Sequence, residues 1–303
     1  MYPCGNGKSR IFRGSVNLRF FSAIEKKKRR KLMKITYSTN AWGPVLAHWA
    51  APNCVNAAYY RCGGKLEQAL ADIAEAGFES VEIFDGELLE FEGRSGILEK
   101  MLEKYGLTLK GVYIACNFIY DEILPEELDR VRRAAQFAKN LGATEIALGG
   151  GAIRFDGIRE SDYVKLGEAL DRVCDLADKL EMRASFHPHM GSLVESPVQL
   201  DKVMPHTRIR LCPDLAHVKK GGGDPLKVVK KYLDRIDYIH LKDIMDDGMF
   251  CPLGIGILDI DAIVEALKKA PHKIEIAIEC DGWTGDPAEG ARITSHYLKK
   301  QGF

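Results

Sequence analysis

The sequence predicts an α/β fold, a single-domain (β/α)8 TIM barrel, and three observations lead there. Eight short apolar runs alternate with eight longer segments of helical period. No composition break divides the chain after residue 32. The last four apolar runs each carry, at their C-terminal end, a residue able to bind a metal, all on one strand face. Strand then helix, repeated, is the pattern of parallel strands covered by helices. At 303 residues the chain exceeds the usual domain length, but barrels of this size form one domain.

Taken in order, strands are expected at 34–39, 79–84, 108–115, 144–149, 182–187, 208–214, 236–241 and 274–280. Helices are expected near 65–76, 95–105, 125–141, 160–180, 197–204, 224–233, 259–270 and 288–300. Pro225 suits a first helical turn, with Asp224 before it as N-cap. Gly77, Gly106 and Gly142 each follow a helical run, where a C-terminal cap glycine belongs. A doubly wound open sheet, the alternative, calls for G-x-G-x-x-G after the first strand, and none is there.

The net charge of zero hides an uneven distribution. Residues 1–32 hold ten Lys/Arg against one acid, Glu25, and are expected to form a basic, disordered, solvated tail ahead of a barrel at 33–303. The remaining 33 basic and 42 acidic residues leave the body at about −9, which argues against nucleic acid as a partner. The basic head lacks the apolar core of a secretory signal, and no run is long enough to span a membrane. Eight cysteines without CxxC pairs read as buried thiols in a reducing compartment. The expected localisation is cytoplasmic. A homo-oligomer is compatible with all of this.

Side chains alternate across a strand, so parity assigns faces. In strand five, Arg183, Ser185 and His187 oppose Met182, Ala184 and Phe186; in strand six, Arg210, Cys212 and Asp214 oppose Ile209, Leu211 and Pro213. Strand seven sets Ile236, Tyr238 and His240 against Asp237, Ile239 and Leu241, and strand eight sets Glu275, Ala277 and Glu279 against three isoleucines. The mainly apolar sets should face the helices. His187, Asp214, His240 and Glu279 should then point inward at the C-terminal mouth, where barrel enzymes keep their chemistry. Neighbouring strands lie about 4.8 Å apart, so four such side chains can meet around one ion. Two imidazoles and two carboxylates suit Mn²⁺, Co²⁺, Zn²⁺ or Fe²⁺ better than Mg²⁺ or Ca²⁺. A lone His or Glu in an apolar run is usually structural; four in matched parity are hard to obtain by chance.

Further groups lie close by in sequence. His189, His217 and Lys242 are candidate catalytic residues, and Glu195, Asp243 and Asp281 candidate substrate contacts, against the plain alternative of helix caps and surface ion pairs. Trp42, with Tyr37 and Asn40 after strand one, could wall a sugar pocket or pack the rim. Gly149–Gly151 and Gly221–Gly223 could cradle a phosphate, but lack the P-loop and dinucleotide spacings, and close backbone approach is the simpler reading.

Five segments carry a resemblance: Ser185–Glu195, Pro213–His217, Asp237–Asp243, Pro252–Gly256 and Ile278–Asp281. Together they resemble the xylose-isomerase-like barrel superfamily of sugar (phosphate) isomerases and epimerases, from Met33 almost to the C-terminus, and within it most the inosose (2-keto-myo-inositol) dehydratases. The resemblance implies a divalent metal on His187, Asp214, His240 and Glu279, a sugar or polyol substrate, and proton abstraction beside a carbonyl. It departs at His187, where many ketose epimerases carry a glutamate, and so favours a branch in which one carboxylate, or a His or Lys, moves the proton.

The expected function is therefore a metal-dependent isomerase or epimerase of carbohydrate metabolism, with Glu279 as base, His189 or His217 returning the proton and Lys242 stabilising oxyanion charge. A dehydratase-type lyase is the alternative. A nuclease of the endonuclease IV type would need more ligands and a basic face, and a non-catalytic sugar-binding barrel would show a missing ligand.

Overall fold

Aliphatic runs bounded by turns form eight parallel strands: β1 (Ile35–Ser38), β2 (Ser80–Phe84), β3 (Thr108–Cys116), β4 (Glu145–Gly150), β5 (Arg183–Phe186), β6 (Arg210–Leu211), β7 (Tyr238–Leu241) and β8 (Glu275–Ile278). The computed structural model describes residues 35–42, 45–46 and 60–303. The expected tail at 1–32, the first two residues of the barrel as predicted, and 43–44 and 47–59 of the loop after β1 lie outside the described residues.

The strands pair in the order β6-β5-β4-β3-β2-β1-β8-β7, with first and last expected strands adjacent, as a barrel requires. The remaining seam, β6 to β7, is held by two single bridges, Leu211 with Ile236 and Asp214 with His240. There the His240 N–H donates to the Pro213 carbonyl at 3.1 Å. Proline has no N–H to give a ladder, so the strand expected at 208–214 shortens to Arg210–Leu211. Asp214 leaves the ladder and caps a helix instead.

Among the described residues, ten α-helices surround the strands: α1 (Leu66–Glu75), α2 (Asp85–Leu89), α3 (Ser95–Tyr105), α4 (Leu124–Asn140), α5 (Glu160–Lys179), α6 (Pro197–Val203), α7 (Leu215–Lys220), α8 (Pro225–Tyr232), α9 (Ile260–Leu267) and α10 (Pro287–Lys300). Eight match the expected segments to within a few residues. The short α2 begins directly after β2 and α7 soon after β6, and no helical period can be read over so few residues. Asp224 caps α8 through the Lys227 N–H at 3.1 Å, and Ser196 with Gln199 forms a capping box on α6. Gly106 ends α3 in the left-handed region, φ +65°, which favours glycine.

Parity is realised in two separate cores. Ala184, Phe186, Leu211, Ile239, Leu241, Ile276 and Ile278 pack outward with the helices, whereas Phe84, Tyr113, Ala147, Cys212, Tyr238 and Ala277 fill the barrel. Ile236, expected inside, joins the outer core because β7 begins only at Tyr238. Beneath the inner layer, Lys110 meets Glu275 at 3.2 Å and Glu145 at 3.5 Å, and Arg183 pairs with the same two acids. These ions close the floor and leave the opposite end for chemistry. Six described cysteines are buried free thiols, and no described helix is long and apolar enough to cross a membrane.

Candidate metal centre

Each ligand candidate owes its direction to a local feature. His187 follows the last residue of β5, its N–H donating to Leu148 O at 2.7 Å. Asp214 is the N-cap of α7: Oδ1 accepts the His217 N–H at 2.9 Å, which leaves Oδ2 for the mouth. His240 lies within β7, and Glu279 follows β8 with its N–H on Leu241 O at 3.2 Å. All four are buried, and one ligand atom from each lies within 4.8 Å of the others.

The contacts define a shared space. His187 Nε2 stands 3.8 Å from Asp214 Oδ2 and 3.7 Å from Glu279 Oε2, and His240 Nδ1 stands 2.5 Å from Glu279 Oε2. His187 Nε2 has no hydrogen-bond partner although fully enclosed, and it faces Asp214 Oδ2, which lies beside the Lys242 ammonium. Buried polar atoms are nearly always satisfied. An orphaned imidazole nitrogen facing two carboxylate oxygens across nearly 4 Å, in a set of two imidazoles and two carboxylates, fits a divalent ion.

Lys242, two residues beyond His240, is wholly buried and sits beside this space. Its ammonium lies 3.0 Å from Asp214 Oδ2, 3.4 Å from Glu279 Oε1 and 2.5 Å from Asp281 Oδ1. Burial pushes its pKa down, but Asp214, Asp281 and Glu279 outweigh that and hold it well above the usual lysine value. Burial likewise raises Asp214 and Glu279, yet Lys242 in both cases, with His217 for Asp214 and His240 for Glu279, holds each carboxyl well below its ordinary range. Removing one partner of such a group leaves uncompensated charge, at about 3–5 kcal/mol. Lys242→Met should lower the unfolding free energy of the metal-free protein by that order, read by urea denaturation.

The remaining candidates divide. His217 and His189 stack with ring centroids 3.9 Å apart, and Lys242 Nζ approaches His217 Nε2 at 3.1 Å. Burial and then Lys242 push His217 well below its usual pKa; burial, then His187 and Lys242, push His189 down. Both imidazoles are thereby kept neutral. His189 Nδ1 lies 2.7 Å from the Met190 carbonyl oxygen. A carbonyl only accepts, so Nδ1 carries the hydrogen and Nε2 keeps its lone pair.

Three expected substrate contacts have partners within the protein. Trp42 is nine-tenths covered, its indole N–H donating to Asp72 at 2.7 Å and its ring set edge-on against Tyr37. It packs the rim beside α1. Glu195 is exposed and accepts the Gly191 N–H at 2.6 Å, closing a turn. Asp243 is fully buried, and its two oxygens accept the N–H groups of Ile244, Gly254, Gly256 and Leu258 at 2.9–3.1 Å. Its lone pairs are spent on shaping the 252–258 loop. The glycine runs serve close packing: a Cβ at Gly149 would lie 2.1 Å from the Tyr113 hydroxyl, and one at Gly221 2.0 Å from the Glu195 carbonyl oxygen.

Sequence reasoning passed over two neighbours of the site or left them without a role. Asn40 Nδ2 donates to Glu279 Oε1 at 2.5 Å, across the junction of β1 and β8. Glu82, on β2, places Oε1 3.1 Å from His240 Nε2. Its signal was an acid at inward parity between Val81 and Ile83. Tyr113 walls the cluster, edge-on to His187 at 5.3 Å, and Phe250 lies edge-on to His217 at 5.1 Å.

Known proteins can now be set beside this geometry. A family profile described as a xylose isomerase-like TIM barrel matches residues 70–301, well over half the chain. An inosose dehydratase of Geobacillus kaustophilus is 27% identical over 270 residues, covering 77% of this chain and 86% of that protein. Among solved structures, the probable 3-DHS dehydratase AsbF of Bacillus anthracis superposes with a TM-score of 0.67 at 14% identity, over 88% of this chain and 99% of that one. The 3-keto-D-glucoside 4-epimerase YcjR of E. coli superposes with a TM-score of 0.66 at 16% identity, over 89% and 100%. At such identities the two structures speak for the fold alone.

Proposed function

The chain belongs to the xylose isomerase-like TIM barrel family, and on that footing we propose that it is a divalent-metal-dependent enzyme acting beside the carbonyl of a small keto sugar or polyol. The first step is removal of the α-proton. The fate we favour is loss of the hydroxyl on the neighbouring carbon as water, the reaction class named for the inosose dehydratase it resembles. The observation that carries the reading is the buried cluster of His187, Asp214, His240 and Glu279, with the neutral His189 and charged Lys242 beside it.

These four residues would hold Mn²⁺, Co²⁺, Zn²⁺ or Fe²⁺, which when bound supplies Lewis-acid stabilisation of negative charge developing on the substrate oxygen. The other steps belong to the chain. Glu279 suits a ligand better than a base: Asn40, Lys242 and His240 occupy its oxygens, and its depressed pKa makes it a poor proton acceptor. A useful base has a pKa near the working pH and a free lone pair. His189 Nε2 offers that lone pair, so proton abstraction is moved from Glu279 to His189. The resulting imidazolium then hands the proton to the departing hydroxyl. Lys242, held in place by Asp281 and His217, faces the charge that builds on the enolate oxygen.

Isomerisation or epimerisation, the reading the sequence puts first, shares the abstraction and differs in where the proton returns. Metal-loaded protein incubated in D₂O with a panel of inososes and keto sugars separates them. Exchange with a product lighter by one water is expected. Exchange with an isomeric product and no water loss would establish the epimerase, and no exchange across the panel would overturn both.

A further inference from the structure

One buried carboxyl group lies outside the chemistry described so far. Glu82 is 1% exposed and sits inside the barrel, one turn of the pleat below Phe84. Neither of its oxygens has a well-formed hydrogen bond, although both are enclosed. Its ionisable neighbours include the Tyr238 phenol and the imidazole of His240, with Oε1 3.1 Å from Nε2. The opposite nitrogen of the same ring, Nδ1, faces the cluster formed with His187, Asp214 and Glu279. Room for the carboxyl is provided by Gly111 on β3, where a Cβ would stand 3.1 Å from Glu82 Oε2 and 3.3 Å from the Tyr238 hydroxyl.

An imidazole that binds a metal through one nitrogen carries hydrogen on the other, and a carboxylate receiving that hydrogen fixes the tautomer and ring angle and raises the basicity of the bound nitrogen. Burying a carboxyl group without such a partner is unfavourable by several kcal/mol. We propose that Glu82 is a positioning residue for the metal centre, accepting the Nε2 hydrogen of His240 so that Nδ1 presents its lone pair to the ion. The proposal rests on the metal reading given above. It assigns β2 a part in a centre whose four candidate ligands come from the ends of β5 to β8, and explains an acid in the middle of an apolar strand.

The test is titration of Mn²⁺ into chelator-stripped protein, followed by electron paramagnetic resonance of the free ion, for the wild type, Glu82→Gln and Glu82→Ala. Partners of this kind change metal affinity by about 10–100-fold. A weakening of that size in Glu82→Ala, with a smaller one in Glu82→Gln, which can still accept a hydrogen bond, is the expected result. Equal affinity in all three would overturn the proposal while leaving the metal centre standing. Failure of the wild type to bind Mn²⁺ would instead remove the metal reading, and this proposal with it. A second measurement needs no variant: long-range ¹H–¹⁵N correlation spectra of wild-type protein loaded with diamagnetic Zn²⁺ should find the His240 hydrogen on Nε2. Finding it on Nδ1 alone would contradict the proposed pairing even if the variants do not fold.

Discussion

Replacing Glu279 by glutamine should reduce turnover by at least about 10³-fold, and the cause should be loss of the ion. The near-isosteric amide keeps a hydrogen-bonding oxygen but gives up the charge that balances the cation. With its oxygen toward the Asn40 amide and Lys242, which share Oε1, it would put NH₂ where Oε2 meets His240 Nδ1; turned the other way, NH₂ would oppose both donors. A ligand and the charge-stabilisation it supports are together worth several kcal/mol in the transition state, and each 1.36 kcal/mol is tenfold in rate. Turnover and metal content, measured on the same preparation, should fall together. A variant that keeps its metal and loses only the rate would move Glu279 from ligand to base.

The second large effect is expected at His189. His189→Gln should lower turnover by about 10²–10⁴-fold, the usual contribution of a positioned base. Metal held by the four clustered ligands should stay at the wild-type level, because His189 belongs to a separate group with His217 and Asp281. Exchange of the substrate α-proton in D₂O should fall by the same factor, since abstraction precedes every later step. Unchanged exchange with slowed product formation would make His189 an acid alone. Opposite behaviour at Glu279 and His189, metal lost in one and retained in the other, is what separates the two roles.

Much of this site is legible in the sequence because it depends on short-range regularities. A strand alternates its side chains with period two, so His187, Asp214, His240 and Glu279 could be assigned to one side before any contact was known. The barrel followed from eight repeats of strand and helix, and the ring closure of β1 against β8 agrees with it. What stayed hidden depends on closure in space. Asn40 meets Glu279 only because strands 239 residues apart become neighbours. Asp243 resembled a substrate ligand by its place after Lys242, but the fold of 254–258 brings three N–H groups back to it. Trp42 resembled a sugar platform until Asp72 on α1 took its indole N–H. Asp214 joins the cluster although it caps a helix and does not end a strand, since an N-cap and a strand end can aim a carboxylate alike.

The central claim is that His187, Asp214, His240 and Glu279 hold one divalent ion on which turnover depends. Elemental analysis of the purified protein, before and after chelation and after reconstitution, tests it most directly. About one Mn, Co, Zn or Fe per chain is expected, with activity lost on chelation, restored by the same ion, and neither retained nor restored in Asp214→Asn. Protein that holds no stoichiometric metal and keeps full activity in chelator would contradict the claim.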